Sequence, residues 1–280
     1  MNYSERLRAD YKRTGSLVCM GMDPVIEKIP LETGSAAERI FSFYEGILEA
    51  LVRRKAFPSC VKPNYAFYAR YGSEGIDALV RLISLYKDAG LTVILDVKRG
   101  DIGSTAEAYA EESFDFFKAD AVTLSPYMGF DSVEPFIKKN PDAGYYILCR
   151  TSNKSGSDMQ NIMTASGRKL YLETADLIAS WNHPGIGAVT GATYPRELSE
   201  IIETFTGKDR AVPLLIPGIG TQGGDLAAVL NAIKMYEPEL HRINASSSIN
   251  YAYLKRKTGY ADAAAEEILS MNESISALLG

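Results

Sequence analysis

The segment Leu95-Asp96-Val97-Lys98-Arg99-Gly100-Asp101 places alternating charges at the end of an apolar run, Thr92-Val93-Ile94-Leu95. Side chains two apart on a strand share a face, which sets Asp96 and Lys98 side by side, roughly 6–7 Å apart at the backbone. Asp101 follows after a tight turn at Gly100. The plain reading is a solvated ion pair, which contributes little. A second lysine, Lys62, ends the apolar run Cys60-Val61, and Lys62, Asp96, Lys98 and Asp101 together sum to zero. Two unit charges about 4 Å apart interact by roughly 4 kcal/mol at an effective dielectric of 20. An interleaved chain of this kind is held in register, whereas two adjacent carboxylates would force one to take up a proton. It would keep Lys98 cationic and aim it at a substrate.

Those residues need strands to carry them. Short β-rich runs recur at Leu17–Met22, Cys60–Lys62, Thr92–Lys98, Ala121–Ser125, Tyr145–Arg150, Gly187–Thr190, Leu214–Pro217 and Arg242–Ala245. Between and after them lie segments of helical spacing, such as Ala36–Arg53, Gly75–Ala89, Thr105–Phe117, Thr164–Ser180, Gly224–Tyr236 and Tyr260–Leu279. Strands alternating with helices imply parallel β/α units, and eight such units close into an α/β TIM barrel, (β/α)8. No Pro/Gly/Ser-rich linker divides the chain, so residues 1–280 read as one barrel domain. A doubly wound open sheet is the alternative, but Gly21-Met22-Asp23-Pro24 is not the Gly-rich fingerprint it would want after the first strand.

In such a barrel the C-terminal strand ends and the loops after them build the site. In order they offer Asp23; Lys62 with Pro63 and Asn64; Asp96, Lys98 and Asp101; Ser125; Arg150 through Asn153, including Ser152; Gly191 through Thr193; Pro217 into a glycine-rich loop; and Ala245 through Ser248. Gly218, Gly220, Gly223 and Gly224 precede a helix, an arrangement that lets backbone N–H groups approach an anion. Loops after strands 7 and 8 commonly hold phosphate in barrels.

Composition narrows the function classes. With 46% hydrophobic and 23% charged residues the chain has the make-up of a soluble globular protein. A net charge of −5 without a basic stripe argues against nucleic acid as a partner. Cys19, Cys60 and Cys149 lie in apolar runs with no metal-ligand spacing, and read as buried reduced thiols. His183 and His241, the two histidines, have no partner pattern, so zinc chemistry and histidine triads are poorly supported. The N-terminal residues lack a signal peptide's apolar core, and no run approaches membrane-spanning length. A cytosolic enzyme is the expectation.

Asp96-x-Lys98-x-x-Asp101-Ile102-x-x-Thr105 resembles the D-x-K-x-x-D-I-x-x-T signature of the orotidine 5′-phosphate decarboxylase family, in its longer bacterial branch. Further matches run in order along the chain: Gly21-Met22-Asp23-Pro24, Val61-Lys62-Pro63-Asn64, Thr151-Ser152-Asn153, Gly191-Ala192-Thr193-Tyr194-Pro195 and Pro217 through Asp225. The resemblance implies loss of the substrate carboxylate as carbon dioxide, leaving uridine 5′-phosphate, with no metal or organic cofactor. Under it Lys98 protonates C6 of the pyrimidine, Asp96 lies beside the departing carboxylate, and Lys62 anchors the network and the ribose. Asp101 and Thr105, with Ile102 between them, reach the substrate of the neighbouring subunit in a homodimer with shared sites. Asp23 binds ribose hydroxyls, Ser152 the pyrimidine, Pro217 packs near the base, and Gln222 with the Gly220 loop contacts phosphate.

One departure stands out. The family typically carries a phosphate-gripping arginine after strand 8, where this chain reads Ser246-Ser247-Ser248-Ile249 with Ser247 in the arginine's place. A hydroxyl lacks the guanidinium's charge and two-pronged geometry. The loss is expected to weaken phosphate binding by roughly 1.5–3 kcal/mol. Arg242 sits five residues upstream, about 16 Å back along an extended strand, and Lys154 is the better replacement. Two other functions fit the barrel: a magnesium-dependent decarboxylase or lyase of keto-sugar phosphates, and a catalytically weakened phosphonucleotide-binding protein. The first calls for an extra acidic ligand after strand 1 or 2, where Lys62 stands. The second leaves the intact Asp96/Lys98/Asp101 set without a purpose.

Overall fold

A computed structural model describes residues 1–219 and 224–280. Eight parallel strands close into a barrel in sequence order: β1 (Val18–Met22), β2 (Cys60–Pro63), β3 (Thr92–Arg99), β4 (Ala121–Leu124), β5 (Gly144–Arg150), β6 (Ile186–Thr190), β7 (Leu214–Pro217) and β8 (Arg242–Ala245). β8 returns to pair with β1 at Val18–Ile243 through Met20–Ala245. The sheet is closed, so the open doubly wound arrangement does not apply. Each of the eight expected strands is present, with ends displaced by a residue or so. Continuous apolar runs form strands here because both faces are buried, one against helices and one against the barrel interior.

The helices are α1 (Tyr3–Thr14), α2 (Ala36–Arg54), α3 (Tyr65–Ala69), α4 (Gly72–Asp88), α5 (Gly103–Glu111), α6 (Glu134–Lys139), α7 (Ser157–Gln160), α8 (Leu170–Ser180), α9 (Pro195–Thr206), α10 (Leu226–Ile233), α11 (Ser247–Asn250) and α12 (Tyr260–Leu279). Their starts follow local chemistry: Ser35 and Glu38 form a capping box on α2, and the Asp225 carboxylate accepts from Ala227 and Ala228 at the start of α10. The helical segment expected from Thr164 begins only at Leu170. A turn through Gly167, with Met163 bridging Lys169, takes up its first residues. Among the described residues, no helix is long and apolar enough to cross a membrane.

The barrel interior is layered by the two-residue strand period. Its lower layer is apolar or weakly polar, with Cys19, Cys60, Ile94, Ala121 and Tyr146. Helix α1 plugs this end, setting Tyr3 edge-on to Tyr146 at 5.8 Å between ring centroids. A Cβ at Gly144 would come within 2.5 Å of the Tyr3 ring, so only glycine admits the plug. Two residues further along, Lys62, Asp96, Thr123 and Leu148 face inward and form the floor of the open end.

Candidate active site

A cavity of about 390 Å3 opens at the C-terminal end of the strands, lined in part by Asp23, Lys62, Asp96, Lys98, Ser152 and Pro217. Thus residues from the ends of β1, β2, β3, β5 and β7 meet in one space, as their positions after the strands require. At its floor Asp96 lies between two ammonium groups, with Lys62 Nζ 2.8 Å from Oδ2 and Lys98 Nζ 2.6 Å from Oδ1. The three differ sharply in exposure. The side chains of Lys62 and Asp96 are 6% and 8% exposed, whereas that of Lys98 is 48% exposed.

Burial by itself would push the Asp96 carboxyl up. The positive charges of Lys62 and Lys98 more than offset this and hold it well below the ordinary carboxylate range. Burial would likewise push Lys62 down, but the negative charges of Asp96 and Asp23 raise it above the ordinary lysine range. The buried pair therefore stays ionised across neutral pH. This leaves a fixed anion at the floor with an ammonium on either side, one sealed in and one facing the cavity.

Asp101 is not part of this chain of charges. Its carboxylate accepts from the backbone N–H of Ile102, and among the described residues it makes no ion pair. The turn after β3 carries it outward, together with the exposed Ile102 and Thr105. Ile102 lines a separate surface groove with Glu107 and Glu134. The four-charge chain expected from spacing is thus a three-charge chain within one protomer: Asp96 and Lys98 stand on β3 at the cavity, whereas Asp101 lies beyond the turn that ends the strand.

Asp23, which lines the cavity, has one carboxylate oxygen buried without a hydrogen-bond partner. Ser152 is set by the loop after β5. The Gln160 side-chain oxygen accepts from Arg150 Nη1 at 3.0 Å and from the Thr151 N–H at 3.0 Å, tying that loop to the buried end of β5. Gly191 leaves room for it, since a Cβ there would lie 2.7 Å from the Ser152 backbone.

A second cavity, of about 200 Å3, adjoins the first and shares Asp23, Pro217 and Asn244 with it. Gly218, Ser246 and Ser247 line it, and Lys28 is the one cation among its described lining residues. Lys28 Nζ lies 5.3 Å from the centroid of the Tyr251 ring. Lys154 lines neither cavity; it is exposed in the short turn Lys154–Gly156. Arg242 is fully buried at the other end of the barrel, donating to the carbonyls of Leu7, Glu239 and His241. Gly220 and Gln222 lie outside the described residues.

Sequence reasoning missed Lys28, Thr123 and Asn244. The last two were within reach, because the alternation that faces Ala121 inward also faces Thr123 inward. Lys28 gave no local signal, standing after a turn that only the tertiary fold brings to β8.

Residues 16–251 match the model of the orotidine 5′-phosphate decarboxylase / HUMPS family. This chain belongs to that family. It is 40% identical over its whole length to orotidine 5′-phosphate decarboxylase of Roseiflexus sp. (strain RS-1), covering 99% of that protein. It is 42% identical to the same enzyme of Ralstonia nicotianae, over 94% of each chain. Among solved structures, OMP decarboxylase of Leishmania donovani superposes with a TM-score of 0.79 at 32% identity, covering all of this chain and 99% of that one. UMP synthase of the same organism superposes with a TM-score of 0.81 at 34% identity, and this chain spans 57% of it.

Proposed function

We propose that this protein decarboxylates orotidine 5′-phosphate to uridine 5′-phosphate and carbon dioxide, a step of pyrimidine biosynthesis. The observation that carries the reading is the Lys62–Asp96–Lys98 chain, two members buried and Lys98 facing the cavity, on the floor of a cavity wide enough for a nucleotide base and ribose. The C6–carboxylate bond breaks, its electron pair stays on C6, and carbon dioxide leaves. A proton from the Lys98 ammonium then completes C6–H, and solvent reprotonates Lys98. The proton comes from the protein and the electrons stay on the ring, so the step balances without a metal or organic cofactor.

A fixed ammonium stabilises the developing carbanion more than it stabilises the substrate. The anion of Asp96 beside the substrate carboxylate acts in the same sense, because repulsion between them is relieved as carbon dioxide forms. Lys62 keeps Asp96 charged and in place. Asp23, with its unpartnered oxygen, takes ribose hydroxyls, and Ser152 and Pro217 meet the base. The phosphate lies toward the second cavity, with Lys28 supplying the positive charge that Ser247 does not. Binding energy there is available to organise the reacting end.

Asp101, Ile102 and Thr105 serve the neighbouring site of a cytosolic homodimer built from one barrel domain. The exposed Ile102, Tyr127, Met128 and Phe130, all on the loops after β3 and β4, support such a contact face. Neither alternative is favoured. Magnesium-dependent handling of keto-sugar phosphates wants a carboxylate where Lys62 stands, and a weakened binding protein has no use for a three-charge chain anchored on a buried Lys62–Asp96 pair.

The test follows the ultraviolet absorbance of orotidine 5′-phosphate with purified protein in EDTA. Loss of the orotate chromophore that disappears in Lys98→Ala is the expected result. Binding without turnover, or turnover confined to keto-sugar phosphates with magnesium, would reject the reading.

A further inference from the structure

Strands β3 and β4 pair at Ile94–Ala121 and Leu95–Val122, and again at Arg99–Leu124. Between those points β3 has three residues, Asp96, Val97 and Lys98, where β4 has only Thr123. The surplus buckles β3 and puts Lys98 at φ +48°, in the left-handed region that non-glycine residues seldom adopt. The buckle also removes the ladder partners of two backbone N–H groups.

Thr123 replaces them. The N–H groups of Val97 and Lys98 both donate to its Oγ1, at 3.0 and 2.9 Å. The Thr123 hydroxyl in turn donates to Asp96 Oδ1 at 2.8 Å. One donor and two acceptor sites are all that a hydroxyl has, and each is used. Asp96 Oδ1 also receives Lys98 Nζ. One buried hydroxyl therefore fixes Lys98 at both ends, through its backbone and through the carboxylate on which its ammonium rests.

We propose that Thr123 is a positioning residue for the reaction: its hydroxyl holds the β3 buckle and so aims Lys98 into the cavity. The proposal rests on the decarboxylase reading above. Valine has nearly the same shape as threonine but accepts no hydrogen bond, so Thr123→Val strands both N–H groups and releases Lys98. Thr123→Ser keeps the hydroxyl.

Wild type, Thr123→Val and Thr123→Ser are compared for kcat and KM on orotidine 5′-phosphate and for thermal melting. A misplaced reacting group costs about 100-fold, so kcat is expected to fall by about that factor in Thr123→Val while KM changes little. Thr123→Ser is expected to recover most of the rate. A valine variant with wild-type kcat, a loss in KM alone, or a serine variant as slow as valine would overturn the proposal. If the valine variant does not fold, Thr123→Ala against Thr123→Ser reads the same split. If wild type itself does not turn over, the decarboxylase reading fails separately, and crystal structures of wild type and variant decide the positioning role. A variant that keeps Lys98 left-handed and in contact with Asp96 refutes it; one that loses both supports it.

Discussion

Replacing Asp96 by asparagine removes the anion that two ammonium groups share, and the exposures of the three groups set the consequence. At contacts of 2.8 and 2.6 Å, each pair attracts by roughly 6 kcal/mol at an effective dielectric of 20. Desolvation of the buried partners opposes that by several kcal/mol per ion, so intact pairs contribute little net stability. The cost appears when one member is removed. Lys98, half exposed, can turn to water, but Lys62 cannot. Stranding its ammonium is expected to cost about 3–5 kcal/mol, or roughly 5–9 °C in Tm for a chain of this size. Thermal melting and urea denaturation of Asp96→Asn at pH 7 measure it. Adding Lys62→Met removes the stranded charge and keeps an unbranched apolar side chain, so the double variant is expected to regain most of the loss. A double variant no more stable than Asp96→Asn would refute this account.

The pH dependence of that difference has a fixed sign. Asp96 in the folded protein lies below its ordinary value of 3.8, so its contribution is complete above that pH and is lost as the pH falls further. The gap between wild type and Asp96→Asn should therefore narrow in acid.

At the phosphate end, Lys28→Ala is expected to raise KM for orotidine 5′-phosphate about tenfold, and Ser247→Arg to lower it by a similar factor or more. Neither should alter KM for the phosphate-free nucleoside; equal effects on both substrates would contradict this placement of the phosphate. His241 accepts from the Leu214 N–H at Nδ1 and pairs through Nε2 with the Tyr236 carbonyl. Burial pushes it down to about 4 from 6.5. Its contribution is complete above pH 6.5 and is lost as pH falls toward 4, at a cost of roughly 3 kcal/mol. Urea denaturation at pH 7 and pH 4 should show that part of the slope in wild type and not in His241→Gln.

The order and type of the barrel strands were legible in the sequence, because buried parallel strands are continuous apolar runs and the helices between them repeat on their own period. The same local rule sent Arg242 to the far end of β8 and expected Asp96 beside Lys98, which the structure delivers through the β3 buckle rather than a regular pleat. It erred at Asp101, where a turn ended the strand geometry that the spacing argument assumed. It could face Thr123 inward but not assign its role, because nothing local shows that β3 holds two more residues than β4 across one stretch.

Chain spacing therefore determined which chemical groups this protein carries and which strand ends present them. The fold alone decided that Asp96 would lie between Lys62 and Lys98, that Thr123 would bind the buckle, and that Lys28 would stand near Ser247. The physical reason is separation. Lys62 and Thr123 are 34 and 27 residues from Asp96 along the chain, and only barrel closure in one register brings their side chains within hydrogen-bond distance.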